Sequence, residues 1–124
     1  MRLLNAKTLG LVVLGALLSF PMLSLAKLIP FTEADCAELA KPKTVLLVHA
    51  TWCSHCRVFK PLYEKVSNQD KYSNWVFYEV AADDLWRVCG HQIDGYPYTY
   101  KNNMQTLLKG NRPQAVLEHF LDNQ

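Results

Sequence analysis

Two cysteines separated by two residues are the clearest chemical feature of the sequence. The segment 52–56 reads Trp-Cys-Ser-His-Cys. In a helix, this spacing lets one turn bring the sulfurs of Cys53 and Cys56 close enough to bond or to separate, which favours a reversible dithiol. His55, when protonated, adds a positive charge near Cys53 and favours the thiolate over the thiol.

The elements on either side of this motif predict where Cys53 lies. Thr44–Ala50 is a nearly continuous apolar, β-branched run, typical of a strand that is covered on both faces. A helix is predicted from about Ser54 to Val66. Cys53 therefore falls at the N-terminus of that helix, where unpaired N–H groups and the helix dipole stabilise a thiolate. The apolar stripe of the helix comprises Val58, Phe59, Leu62, Tyr63 and Val66.

The remaining segments predict an α/β fold. Strand patterns alternate with helix patterns and end in an antiparallel pair, which indicates a layered sheet with helices on both faces. Asn102-Asn103 suits the positive φ of a tight hairpin turn, and Pro113 suits the start of a final helix. The predicted elements are a helix from Thr32 to Pro42 with a Thr32–Asp35 capping box, a strand at Trp75–Ala81, a helical turn around Asp84–Cys89, a hairpin of Tyr96–Lys101 and Met104–Leu108, and a last helix with Val116, Leu117, Phe120 and Leu121 on its apolar face.

Composition and charge exclude several classes of protein. The chain has 124 residues, of which 50% are hydrophobic and 19% are charged, so it suits one globular domain and not a disordered or fibrous chain. Residues 27–124 carry 11 basic and 11 acidic side chains. These residues include no run of basic side chains that would favour nucleic acid as a partner.

Residues 1–26 are typical of an export signal. Met1–Lys7 carries two positive charges, Leu9–Phe20 is almost wholly apolar, and Ser24 and Ala26 suit the −3 and −1 positions of a cleavage site. An uncleaved membrane anchor is the alternative, since 19 consecutive residues in this segment carry no charge. Either interpretation predicts a periplasmic or secreted domain of residues 27–124, in an oxidising compartment.

The motif and its surroundings resemble the thioredoxin superfamily. Val45–Ser67 (VLLVHATWCSHCRVFKPLYEKVS) is similar to the active-site region of that family, and Pro61 matches its helix-kinking proline. Ile93–Pro97 (IDGYP) resembles the family's Gly-x-Pro loop, whose proline is cis and faces the dithiol. The similarity covers nearly all of Thr32–Leu121, and the CSHC motif is closer to protein disulfide isomerase domains than to reducing thioredoxins. The resemblance implies a thioredoxin fold with a mixed sheet of four to five strands.

The resemblance implies a role for each matching residue of the motif. Cys53 would be the exposed nucleophile that forms a mixed disulfide with the substrate, and Cys56 the more buried resolving thiol. His55 would tune the thiolate. Trp52 and Tyr96 would offer apolar surface to a protein substrate, the backbone of Tyr96 would pair with an extended segment, and Pro97 would hold its loop close to the dithiol.

Three departures from the family pattern affect these expectations. Leu47 stands where the family often has a buried acid that assists proton transfer to the resolving thiol, and His49 is the nearest substitute by sequence, although such a histidine is more often a packed core residue. Tyr98 replaces the threonine after the cis-proline, which would narrow the groove. Lys27–Pro30 leaves almost no room for the family's first strand.

Cys36 and Cys89 allow three interpretations. In the resembled fold the first and third helices share one face of the sheet, so a structural Cys36–Cys89 disulfide is favoured in an exported protein. Two separate buried thiols, or disulfide exchange with Cys53 and Cys56, are the alternatives. A zinc site of Cys53, Cys56, Cys89 and His91 is disfavoured because the last two would have to reach across the sheet, so no metal is predicted.

These features predict an exported, monomeric thiol–disulfide oxidoreductase that needs no bound cofactor. Protein thiols or disulfides would be its substrates, and a membrane redox partner would reset the dithiol. An oxidase-like direction is favoured. The alternatives are a reductase supplied by a membrane electron donor and a peptide-binding module with an idle dithiol.

Overall fold

A computed structural model describes residues 28–123 of the chain, so the predicted export signal at 1–26 lies outside the described residues. The centre of the fold is a sheet of five strands, β1 (Leu28–Pro30), β2 (Thr44–His49), β3 (Val76–Ala81), β4 (Tyr98–Lys101) and β5 (Thr106–Lys109). They lie in the order β1-β3-β2-β4-β5. The strands β1, β3 and β2 are parallel to one another, and β4 runs antiparallel to both of its neighbours, β2 and β5. The predicted mixed sheet is confirmed.

The first strand forms although the sequence left little room for it. β1 has three residues, and it pairs with β3 in a register that places Leu28 opposite Phe77. The pairing continues beyond the strand, because the Phe31 N–H donates to the Glu79 carbonyl at 3.1 Å. The sheet therefore has five strands, the larger of the two numbers that the resemblance implied.

Helices cover both faces of this sheet. A 3₁₀ helix of eight residues forms where the first helix was predicted, and the Thr32 N–H and hydroxyl both donate to the Asp35 carboxylate, at 2.8 and 2.9 Å. The helices are the 3₁₀ helix Glu33–Ala40, α1 (Ser54–Ser67), a short 3₁₀ turn Asp70–Tyr72, α2 (Ala82–Cys89) and α3 (Gln114–Asp122). α1 and α3 pack on one face, and the first 3₁₀ helix and α2 pack on the other.

Alternate residues of β2 supply the two halves of the core. Val45 and Leu47 point towards α1 and α3, whereas Leu46 and Val48 point towards α2 and the first 3₁₀ helix, and all four are at most 1% exposed. A strand covered on both faces needs apolar residues at every position, which is why the unbroken apolar run identified it.

Two residues assigned to the apolar stripes are exposed instead. Val58 in α1 is 63% exposed and Val116 in α3 is 40% exposed, whereas their sequence neighbours Phe59 and Leu117 are fully buried. Each helix contacts the sheet with one side only, so its buried stripe is narrower than the sequence pattern suggested.

The hairpin between β4 and β5 has a longer loop than the predicted two-residue turn. Lys101 pairs with Thr106, which leaves four residues between the strands. Asn102 and Asn103 have the expected positive φ, at 54° and 55°, but Met104 continues in that conformation at 65°. Met104 therefore belongs to the loop and not to the strand where it was predicted.

Candidate active site

Cys53 is the N-cap residue of helix α1. Its N–H donates to the Ala50 carbonyl at 3.1 Å, which closes the turn between β2 and α1. Its Sγ accepts a hydrogen bond from the Cys56 N–H at 3.2 Å, the contact that a capping side chain makes with the first turn of a helix. The sulfur therefore lies among unpaired N–H groups at the positive end of the helix dipole, where negative charge is stabilised.

Both sulfurs of the motif are covered. Cys53 is 6% exposed and Cys56 is 4% exposed, so the prediction of an exposed nucleophile above a more buried resolving thiol is wrong for the first residue. The reason is that Ala50 and the two cysteines form one small apolar cluster, against which the Tyr96 ring packs. The two residues are free cysteines in this structure.

Cys56 holds its proton strongly. Burial raises the pKa of its thiol to about 11, and a hydrogen bond with Cys53 acts in the same direction. Cys56 is therefore a thiol at neutral pH, and it must lose a proton before its sulfur can act as a nucleophile.

The loop before β4 lies against this pair. The Tyr96–Pro97 peptide bond is cis, as the resemblance implies, and the Pro97 carbonyl accepts a hydrogen bond from the Gly110 N–H at 2.8 Å. Tyr98 turns inward and is 9% exposed, so it does not narrow the groove as expected. Its ring occupies the space beside Gly95, where any Cβ would overlap it.

Two aromatic rings form the rim of the site. The Trp52 and Tyr96 ring centroids are 5.4 Å apart with the planes at 90°, an edge-to-face contact. Trp52 is nevertheless 72% exposed. The structure thus brings Trp52, Cys53, Cys56 and Tyr96 together, while His55 lies exposed on the first turn of α1 and its tuning role stays a prediction.

The thioredoxin family model matches residues 30–123. The chain belongs to the thioredoxin family. Putative thioredoxin-5 from Dictyostelium discoideum is 34% identical over 90 residues, which cover 68% of this chain and 85% of that protein. Thioredoxin from Mus musculus is 43% identical over 63 residues, but these cover only 48% of this chain and 58% of the mouse protein.

Solved structures of thioredoxins share the fold. The Malassezia sympodialis thioredoxin Mala s 13 superposes with a TM-score of 0.65 at 18% identity, over 84% of this chain and 96% of that one. Oxidised thioredoxin from Plasmodium falciparum gives a TM-score of 0.59 at 22% identity, over 80% and 96% of the two chains. At these identities the likeness establishes the thioredoxin fold of the chain.

The other two cysteines of this thioredoxin-family chain lie on the opposite face of the sheet. Cys36 in the first 3₁₀ helix and Cys89 at the end of α2 form a disulfide with a Cα–Cα distance of 5.8 Å. The bond joins the two elements that cover this face. Within residues 28–123, no group of three or more His, Cys, Asp or Glu side chains could hold a metal ion. Among the same residues, no helix is long and apolar enough to cross a membrane.

A charged cluster that the sequence pattern did not predict lies behind the dithiol. The Glu79 carboxylate in β3 lies 2.9 Å from Lys60 Nζ in α1 and 3.9 Å from His49 Nε2 in β2. The sequence alone does not indicate that His49 has these two neighbours. The available signal was Glu79 itself, the one charge in an apolar strand (VFYEVA), because a half-buried carboxylate requires a partner.

Proposed function

We propose that this chain is a thiol–disulfide oxidoreductase acting on protein thiols and disulfides through Cys53 and Cys56. The observation that carries the proposal is the placement of Cys53 Sγ at the N-cap of α1, 3.2 Å from the Cys56 N–H. Two free thiols one helical turn apart, with one of them at a helix N-terminus, suit reversible disulfide exchange.

The reaction begins when the Cys53 thiolate attacks a sulfur of a substrate disulfide. A Cys53–substrate disulfide forms, and the other substrate sulfur leaves with the electron pair. Cys56 then attacks Cys53 Sγ, so that the Cys53–Cys56 bond forms and the second substrate thiolate is released. The substrate gains two electrons and the dithiol loses them, and the reverse sequence donates the disulfide to a dithiol substrate.

Protein substrates suit the surface beside Cys53. Only 6% of Cys53 is accessible, so a substrate has to bring its sulfur to Cys53 alongside the aromatic rim that Trp52 and Tyr96 form. A cleft of about 260 Å³ continues from Tyr96 past Ile93 to Trp86. Trp86 is itself 59% exposed, so its ring offers apolar contact to an extended polypeptide at the far end of a cleft whose surface is otherwise mostly polar.

An oxidase-like direction is the favoured form of this activity. His55 on the first turn of α1 adds a positive charge when it is protonated, and this charge would favour the thiolate of Cys53, which makes the reduced form more stable and the disulfide a stronger oxidant. The relatives named thioredoxin favour the second candidate, a reductase. The reduction potential of the Cys53–Cys56 pair in glutathione buffers separates these two. Values of about −120 to −180 mV indicate disulfide donation, and a value of about −270 mV indicates a reductase.

A peptide-binding module with an idle dithiol makes a different prediction. Cys53→Ser removes the attacking sulfur but leaves Trp52 and Tyr96 in place, so an oxidoreductase loses all turnover whereas a binding module keeps its affinity. The absence of any redox transition in wild-type protein between −100 and about −300 mV would refute the oxidoreductase proposal.

Export and a membrane partner complete the proposal. Residues 1–26 would direct the chain out of the cytoplasm, and a membrane protein would exchange electrons with Cys53 and Cys56. Mass spectrometry of the protein recovered from an expressing cell tests the first part. A mature N-terminus at Lys27 supports a cleaved signal, and intact Met1 in a soluble cytoplasmic fraction contradicts export.

A further inference from the structure

A cleft of about 230 Å³ opens behind the dithiol, on the side of the sheet covered by α1. Its volume exceeds the roughly 30 Å³ that one water molecule occupies in the liquid. Cys56 reaches this cleft from α1, and His49 reaches it from the end of β2. The lining residues are His49, Ala50, Thr51, Cys56, Arg57 and Lys60.

The proposed chemistry requires a proton acceptor at Cys56. The thiol is buried with a pKa of about 11, so only about one molecule in ten thousand carries the thiolate at pH 7. Leu47, which occupies the position of the family's buried acid, is fully buried and cannot accept a proton. Resolution of a mixed disulfide at neutral pH therefore needs another base.

A carboxylate is present on the neighbouring strand. The register of β2 and β3 places Glu79 directly beside Leu47, and parallel partners point to the same face of the sheet. His49 follows two residues after Leu47 and so lies on that face as well. Glu79 thus reaches His49 Nε2 at 3.9 Å, and it is held from the other side by Lys60 Nζ at 2.9 Å.

We propose that His49 accepts the proton of Cys56 through the cleft as the Cys53–Cys56 bond forms, and that Glu79 positions His49 and stabilises its imidazolium. This inference rests on the proposed function. The acid missing from β2 is replaced by a histidine–carboxylate pair whose carboxylate comes from β3. Lys60 is a positioning residue, because its ammonium orients the Glu79 carboxylate.

The charges around His49 suit a proton acceptor. Burial lowers its pKa below 6.5, Lys60 acts in the same direction, and Glu79 and Asp84 oppose them. Arg57, which also lines the cleft, adds positive charge at its edge. His49 is therefore neutral at pH 7 and free to take a proton, while the Glu79 carboxylate lowers the cost of the cation that results.

The proton and electrons balance in each direction. In resolution, Cys56 loses its proton to His49, its sulfur bonds to Cys53 Sγ, and the substrate sulfur leaves with the electron pair of the broken bond. In the reverse reaction a substrate thiolate attacks Cys53, and the Cys56 sulfur leaves and takes the proton back from the His49 imidazolium. No further co-reactant is needed.

The test follows two sulfur steps separately in full-length protein whose Cys53–Cys56 pair is reduced and whose Cys36–Cys89 disulfide is intact. A limiting amount of the aromatic disulfide DTNB reacts first with Cys53 and releases one coloured thiolate, and Cys56 then displaces the second. The variants are His49→Gln and Glu79→Gln. Glu118→Gln is the matched control, because Glu118 in α3 is a similarly shielded carboxylate paired with Lys71 at 3.1 Å.

We expect the first phase to be unchanged and the second phase of His49→Gln to be at least about 10-fold slower at pH 7, since a positioned base contributes 10²-fold or more. Glu79→Gln should slow the second phase less than His49→Gln does. It should also move the pH dependence of this phase to lower pH, because the His49 imidazolium loses the stabilising charge of the Glu79 carboxylate. Glu118→Gln should match wild type in both phases.

The pH profile supplies a readout that a structural role would not change. The wild-type second phase should level off once His49 is neutral, whereas in His49→Gln it should rise about tenfold per pH unit from pH 6 to 9. A wild-type profile that itself rises tenfold per unit, or variants that match wild type, would overturn the relay and leave the oxidoreductase intact. A wild type with no second phase would instead refute the proposed function, and the relay with it.

Discussion

Removing the Cys36–Cys89 disulfide should cost the fold much of its stability. The bond closes a loop with a sequence separation of 53 residues. In the chain-entropy model, a loop of this length restricts the unfolded chain by about 14 cal/mol/K, which corresponds to about 4 kcal/mol at 25 °C. Domains of this size have unfolding free energies of only about 5–15 kcal/mol, so the Cys36→Ala/Cys89→Ala variant should be markedly less stable.

The assay is urea and thermal unfolding followed by circular dichroism. We expect the double variant to unfold at a melting temperature about 20 °C lower, since 1 kcal/mol shifts a domain of this size by about 4–8 °C. Cys53→Ala/Cys56→Ala, measured against wild type with the Cys36–Cys89 bond intact in both proteins, is the matched control, because it removes two buried free thiols and no cross-link. If Cys36→Ala/Cys89→Ala lowers the unfolding free energy by less than about 1 kcal/mol, the reasoning is refuted. Labelling of all four cysteine thiols in unreduced wild-type protein would refute it as well, because the disulfide would then be absent.

Three shorter predictions address the site and the fold. Cys56→Ser should trap a mixed disulfide at Cys53 that a gel without reductant detects, and rapid release of the trapped substrate would argue against Cys56 as the resolving thiol. Lys101→Met should lower the unfolding free energy by about 1–3 kcal/mol, because the nearly buried Lys101 ammonium donates to two carbonyls at the end of α3, and a variant as stable as wild type in urea would contradict this. The Tyr72 hydroxyl donates a hydrogen bond to Asp122, and this bond and the Lys71 ammonium lower the pKa of the Asp122 carboxyl from 3.8. The stability that ionised Asp122 adds to the fold is therefore present above pH 3.8 and is lost as the pH falls through the folded-state pKa. Asp122→Asn should therefore flatten the acid side of the stability profile, and an unchanged profile would contradict the assignment.

The parts of the fold that could be predicted from the sequence are those whose apolar residues follow a strand or helix spacing. Thr44–His49 was recognisable as a doubly covered strand because both of its faces are apolar, and α1 because Phe59 and Tyr63 recur at helical spacing. Whether Val58 packs or faces solvent depends on how much of α1 the sheet covers, which no local pattern contains. The three-residue strand β1 is similarly invisible, since the backbone of β3 and not its own sequence defines it.

The dithiol could be predicted for the same reason, but its burial could not. The spacing of Cys53 and Cys56 lies within one helical turn, so the N-cap position follows from where the helix begins. The Tyr96 ring that covers the pair comes from 40 residues further along the chain. Sequence therefore indicated which two sulfurs lie one helical turn apart, whereas the long-range loop determines how accessible they are.

The charged cluster behind Cys56 shows where a sequence signal is partial. Glu79 is the one charged residue of an apolar strand, and burying an unpaired carboxylate costs several kcal/mol, so the sequence alone requires a partner for it. It does not say which one, because Lys60 and His49 become neighbours only through the register of β2 with β3 and the packing of α1. A pairing shifted by one residue would turn Glu79 to the other face, towards Leu46 and Val48 and away from the cleft that Cys56 lines. The position of this carboxylate, and with it the proposed proton path, is thus a property of the sheet and not of any one strand.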